Sequence, residues 1–234
     1  MADRVALNRQ DSRYLLRVLR LRAGAPVQLF DGQGNEFTGE LESAQRDAAS
    51  VLLKRRVEAI SESPIPITLA AAVPKGERMD YLLQKSVELG VARVQPLTLA
   101  RSDVTLKPDR IARRMDHWKG VMRSACEQCG RATLPGLESP QTLGEFLSRD
   151  ADRLSQRIVL HGQGVTTLQA LGAPANHQIT LITGPEGGLT DEELSLCEQA
   201  KFTQVRLGPR TLRAETAGPA AIAALQTLWG DLGS

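Results

Sequence analysis

Hydrophobic spacing changes character along the chain. Residues 13–20 place Leu15, Leu16 and Leu19 at a helical interval, with Arg13, Arg17 and Arg20 at i, i+4 and i+7 on another face. Asp11 and Ser12 are the candidate caps of that short helix. From residue 25 the pattern shortens to strands: 26–30 is apolar, 36–41 alternates, and 50–57 is a third candidate. Asp31-Gly32-Gln33-Gly34-Asn35 between the first two predicts a tight hairpin turn. Several short strands so close together predict a small β-barrel.

Residues 61–66, polar and then stiffened by two prolines, read as a linker, with a domain boundary at residue 66. Beyond it strand and helix alternate: strand 67–73, helix 77–89, strand 91–97, long helix 108–128 and strand 157–161. Two further strands, 178–183 and 204–207, each run into a glycine-rich turn and then a helix, the last of them reaching residue 229. Such alternation predicts an α/β domain over 67–234, a mostly parallel sheet with helices on its faces, preceded by the small domain over 1–66.

Composition narrows the function classes. Hydrophobic residues at 41% and charged residues at 24% of 234 are ordinary for a globular chain, while aromatics at 3% leave little for broad base-stacking platforms. Net charge is only +2, but residues 1–22 hold six arginines against two aspartates, and residues 101–131 hold eight Lys/Arg against four acids. Local basic surfaces of this kind suit a polyanion as well as solvent. The amino terminus has no apolar signal region, and no run of eighteen apolar residues occurs, so a cytoplasmic protein with no membrane partner is expected. Three cysteines fit a reducing compartment, and Cys126 and Cys129 form a CxxC that no second pair completes, so no metal is expected.

The two late turns carry the candidate chemistry. Gly184-Pro185-Glu186-Gly187-Gly188 and Gly208-Pro209-Arg210 each follow a strand, which puts both at the carboxyl ends of neighbouring parallel strands, where open α/β sheets bind ligands. Glycine lets backbone approach a ligand and proline stiffens the turn, leaving N–H and C=O groups that suit the edges of a purine. Neither turn matches a phosphate-cradling or dinucleotide fingerprint. Taken alone, each is equally an ordinary tight turn.

GPEGGLTDEE at 184–193 followed by LGPRTLRAETA at 207–217 resembles the carboxyl-terminal signature of the knotted SPOUT methyltransferases, specifically the bacterial 16S ribosomal RNA uracil-N3 methyltransferases. The likeness runs along the chain, through VLRLRAGAPVQLFDGQGNEFTGEL at 18–41, PKGERMDYLLQKSVELGV at 74–91, ARSDV at 100–104 and ACEQCGR at 125–131. It implies a PUA-like RNA-binding barrel and a SPOUT domain whose three carboxyl-terminal loops are threaded as a trefoil knot around S-adenosylmethionine. It also implies a homodimer acting on 16S ribosomal RNA or the small ribosomal subunit. Members of that family often carry a histidine pair where this chain has Asp11-Ser12, so no role of those imidazoles transfers.

By motif, the cofactor positions implied are Leu160, His161, Gly162, Thr183, Gly184, Glu186, Gly187, Leu207, Gly208, Arg210, Leu212 and Arg213. Most would act through backbone groups; a histidine at a strand end is also commonly just packed. Uracil N3 is an imide nitrogen, protonated at neutral pH, so the site must stabilise a developing anion and release a proton. Arg213 is the candidate for the anion, or a brace for Glu215, the weaker candidate base; water or the RNA is the other proton acceptor. Arg9, Arg13, Arg17 and Arg131 are the candidate phosphate contacts. Two other outcomes stay open: a SPOUT enzyme for another RNA position, such as a ribose 2′-hydroxyl, and a non-catalytic RNA-binding or ribosome-assembly module.

Overall fold

A hairpin organises the first unit of the structure, a computed structural model that describes residues 3–45, 48–104, 108–149 and 155–233. This unit comprises Met1–Ser61 together with Gly130–Leu134, so a short segment from the middle of the chain returns to it. Its elements are β1 (Arg4–Ala6), α1 (Arg9–Arg13), β2 (Pro26–Phe30), β3 (Glu36–Gln45) and β4 (Ala48–Val57). They form an antiparallel sheet of order β1-β4-β3-β2. The β2–β3 turn falls where expected: the Asp31 carboxylate accepts from the backbone N–H of Gln33 at 2.7 Å and of Asn35 at 3.1 Å, and from the Asn35 side chain at 2.6 Å. Those bonds, the Asn35 side chain first, hold the Asp31 carboxyl below its ordinary value of 3.8.

The amino-terminal helix departs from the spacing argument. It begins earlier, with Asn8 as N-cap accepting from the Asp11 N–H at 2.9 Å, and after Arg13 it widens into a π-helical turn over Tyr14–Val18. Ser12 is not a cap. It is fully buried, accepting from the Ala49 N–H at 3.0 Å and donating to the Leu7 carbonyl at 3.3 Å, so its hydroxyl ties the helix to β4. Leu15 and Leu16 pack with Leu41, Val51 and Val27, but the wider turn leaves Leu19 at the surface and places Arg20 at φ +55° beyond the helix. The expected Arg13–Arg17–Arg20 stripe is therefore not one helical face.

The second unit, Glu62–Cys129 with Pro135–Ser234, is the α/β part. In order it contains β5 (Ile67–Ala72), α2 (Arg78–Glu88), β6 (Val91–Thr98), α3 (Pro108–Cys129), β7 (Gly136–Leu137), β8 (Gln141–Thr142), α4 (Leu143–Arg149), β9 (Gln156–Leu160), β10 (Ile179–Thr183), α5 (Asp191–Gln199), β11 (Thr203–Val205) and α6 (Ala214–Trp229). The strands are ordered β11-β9-β10-β5-β6-β7, with β8 also on β6, and every pairing is parallel.

Both faces of this sheet are covered, which is why β5 and β10 read as continuous apolar runs. On one side Ala70, Ala72, Val159 and Ile182 pack with Leu143 and Phe146 of α4 and Leu194 and Cys197 of α5. On the other, α6 lies on β5, β10 and α2, with Ala221, Ile222 and Leu225 fully buried. α3 turns Met115, Trp118 and Met122 inward and packs along α2. Burial pushes the Cys197 thiol up to about 12, with the charge of Glu193 adding to it.

Candidate active site

The carboxyl ends of β9, β10 and β11 lie side by side, because β9 pairs with β10 on one edge and β11 on the other. Each strand exits into a loop, and the three loops enclose a cavity of about 420 Å³. Residues 160–162, 183–186, 188–189, 205–214 and 217 line it. The β9 and β11 exits are stitched together by backbone: the His161 N–H donates to the Val205 carbonyl at 3.0 Å, and the Arg206 N–H to the Thr166 carbonyl at 2.9 Å.

The loop after β10 is fastened from several sides. Gly184 sits at a close approach, since a Cβ there would lie 3.2 Å from Leu189 Cγ and 3.3 Å from its backbone N, so Leu189 would have to give way by a few tenths of an ångström. Thr190 caps α5 by accepting from the Glu193 N–H at 3.2 Å, and the Glu193 carboxylate in turn accepts from the Thr190 N–H at 2.9 Å, a capping box. The other Glu193 oxygen accepts from the Ala100 N–H at 2.8 Å, and the neighbouring Arg101 guanidinium donates to the carbonyl of Gly187 at 3.0 Å. From α2, Arg78 donates to Glu186 at 2.7 Å.

The loop after β11 has a different construction. Gly208 sits at φ +68°, which favours glycine, and nothing within 4 Å opposes a Cβ there. Arg206 and Arg210 are exposed and make no side-chain hydrogen bond or ion pair among the described residues. Arg213 ends the loop as the extended N-cap of α6, its side chain 77% exposed and on the cavity lining. Its Nη1 lies 3.9 Å from Glu215 Oε1, and Arg78 Nε approaches the same oxygen at 4.0 Å. Glu215 is 11% exposed, its Oε2 is buried without a partner, and it is not among the lining residues.

All the cofactor positions named from the motifs line this cavity except Gly187, whose carbonyl faces Arg101 instead. His161 contributes a buried Nδ1 with no hydrogen-bond partner. Sequence reasoning did not single out Arg78 or Arg101 as residues that shape the site. Arg78 and Arg101 fall within the stretches 74–91 and 100–104, whose likeness to the methyltransferases was their only signal. Arg9, Arg13 and Arg17 are exposed in the first unit, whereas Arg131 is 8% exposed.

Residues 61–226 match the RNA methyltransferase domain, a span that holds the whole cavity. The chain belongs to the RNA methyltransferase family. Residues 7–54 match the RNA methyltransferase PUA domain, which takes in β2, β3 and most of β4. A relative in the family, ribosomal RNA small subunit methyltransferase E of Synechocystis, is 36% identical over 233 residues, spanning 96% of this chain and 73% of its own. The crystal structure of ribosomal RNA small subunit methyltransferase E from Neisseria gonorrhoeae bound to S-adenosyl methionine is 37% identical, with a TM-score of 0.91 over 98% of this chain and 94% of that one. A Legionella pneumophila protein solved with the bound cofactor SAM is 36% identical, with a TM-score of 0.94 over 99% of this chain and 94% of that one.

Proposed function

We propose that this chain transfers a methyl group from S-adenosylmethionine to N3 of a uridine in the 16S ribosomal RNA of the small subunit. The carrying observation is the three-loop cavity at the ends of β9, β10 and β11, in a chain whose relatives bear the name ribosomal RNA small subunit methyltransferase E. A nucleoside-sized ligand suits its volume, which falls in the range of about 300–1,000 Å³ usual for small-molecule sites. The lining suits one too: turns rich in bare backbone groups, and a buried His161 Nδ1 left without a partner.

When bound, S-adenosylmethionine supplies an electrophilic methyl on a sulfonium, so the protein's task is mainly orientation. The residues 160–162, 183–186 and 207–213 hold the donor, largely by backbone. Thr183 at the end of β10 is 2% exposed and gives that edge a rigid base. Arg213, exposed on the cavity lining and cationic, stabilises the imide anion as the N3 proton leaves to water or the RNA and the new N–C bond replaces the broken C–S bond. Glu215 acts through Arg213 and Arg78, setting where the first guanidinium points.

Residues 1–66 form the PUA-like RNA-binding domain in this reading, with Arg9, Arg13 and Arg17 positioning RNA by its phosphates. Residues 67–234 form the SPOUT domain with its trefoil knot. Ala220, Ala223 and Ala224 on α6 are half-buried and Leu228 is 40% exposed, an apolar face suited to a homodimer in the bacterial cytoplasm.

The test is calorimetric titration with S-adenosylmethionine, followed by nucleoside mass spectrometry of 16S ribosomal RNA incubated with enzyme and donor. Saturable binding and a new 3-methyluridine are expected. A methylated ribose instead of a methylated base would move the acceptor, and no donor binding by folded protein would end the enzyme reading.

A further inference from the structure

One strongly charged surface of the second unit has no part in the cavity. The side chains of Arg110, Arg113, Arg114 and His117 surround an open concavity on α3, and no other described residue lines it. They fall at i, i+3, i+4 and i+7, a single helical face beside the one that turns Met115, Trp118 and Met122 inward. Arg113 and Arg114 have no side-chain partner among the described residues. Arg110 has only Asp109 at 3.9 Å, a pair open to solvent on both sides and so weak. Among the described residues the other acids beside this face are the exposed Asp116 and, from α2, Asp80, which meets His117.

α2 links this surface to the methylation cavity. Asp80 Oδ2 holds His117 Nε2 at 2.8 Å, while Arg78, two residues earlier on α2, holds Glu186 of the first glycine loop at 2.7 Å. The cationic concavity and the donor loop are thus anchored to the same helical turn.

We propose that Arg110, Arg113, Arg114 and His117 form a second phosphate-binding surface, which takes the sugar-phosphate backbone of the RNA substrate flanking the target nucleotide. The proposal rests on the RNA methyltransferase reading above. A described lining of three guanidiniums and an imidazole, with no carboxylate and no aliphatic or aromatic hydrocarbon residue among them, matches repeated phosphates better than an apolar partner. Contacts of this class carry no sequence information; they set register, so the surface adds affinity and orientation while the cavity selects the base.

The test uses the full-length protein and a fluorescent 16S ribosomal RNA transcript, with binding followed by anisotropy over a range of KCl. The triple variant Arg110→Gln/Arg113→Gln/Arg114→Gln should bind at least about tenfold more weakly at low salt, and its log–log salt slope should be shallower by about 2–3. A scrambled RNA should lose affinity by the same factor. Asp109→Asn/Asp116→Asn should act in the opposite direction and tighten binding. S-adenosylmethionine titration and thermal melting should be unchanged in both variants, since these side chains lie outside the core and the cavity. Unchanged RNA affinity and slope in the triple variant, with wild-type binding intact, overturns the surface and leaves the methyltransferase reading standing. A wild-type protein that binds the donor but no RNA overturns both. Weakened RNA binding accompanied by lost donor affinity or a lower melting temperature marks a structural effect and also overturns the surface.

Discussion

The two glycine loops make opposite walls of one cavity and are built on opposite plans. The first, after β10, is fixed by neighbours: Arg78 on Glu186, Arg101 on the Gly187 carbonyl, and Glu193 bridging Thr190 and Ala100. The second, after β11, presents Arg206, Arg210 and Arg213 outward and depends on the backbone of Gly208 for its shape. A donor held mostly by backbone needs a wall that does not move. An acceptor that arrives as a large polyanion needs charges that can still adjust. Rigidity and cationic reach are therefore divided between the loops rather than averaged over both.

The sharpest break of this contrast is Gly184→Val. Side-chain atoms there meet Leu189 in the braced wall, and overpacking of about 1–3 kcal/mol should weaken S-adenosylmethionine binding roughly 5- to 150-fold by calorimetry. Wild-type affinity in this variant would show that the first wall yields as readily as the second. Next in size is Gly208→Ala, where space is free but φ +68° is not. A strain of about 1 kcal/mol predicts roughly fivefold weaker donor binding, reversed by no neighbouring cavity-forming change.

A smaller effect distinguishes braces from free cations. Arg101→Ala removes its bonds to the first loop, worth about 1 kcal/mol or less after allowing for exposure. Amide hydrogen exchange at residues 184–189 should quicken in Arg101→Ala and stay at the wild-type rate in Arg210→Ala. Equal exchange in the two variants would mean that the first loop holds its shape without the guanidinium.

The smallest effect is one of pH. Glu192, in the first turn of α5, accepts from its own backbone N–H and from Thr190, and these bonds lower its carboxyl from the ordinary 4.5. A carboxyl depressed in the folded state binds fewer protons than in the unfolded chain, so its contribution is present above the unfolded value and lost as pH falls through the folded one. Urea denaturation midpoints should hold steady down to about pH 4.5 and fall below it, less steeply in Glu192→Gln.

Much of this molecule is legible in residue order because local physics decides it. The hairpin at 31–35 follows from Asp31 and two glycines, the capping box from Thr190 and Glu193 three residues apart, and the buried parallel strands from their continuous apolar runs. The two glycine loops and their place at strand ends are legible for the same reason. The amino-terminal helix is not, because Ser12 is drawn to a backbone N–H of Ala49, far away in the chain, and the helix reorganises around that bond. Arg78 and Arg101 were equally beyond reach. Each acts on a loop more than eighty residues later, and only the parallel packing of β5, β6 and β10 brings them to it. The cationic surface on α3 lies between these cases: its spacing is written in the sequence, but its neighbourhood was decided by the turn of α2 that holds both His117 and the donor loop. Local bonding and hydrophobic period belong to the sequence. Which distant charge meets which loop is settled by the strand order.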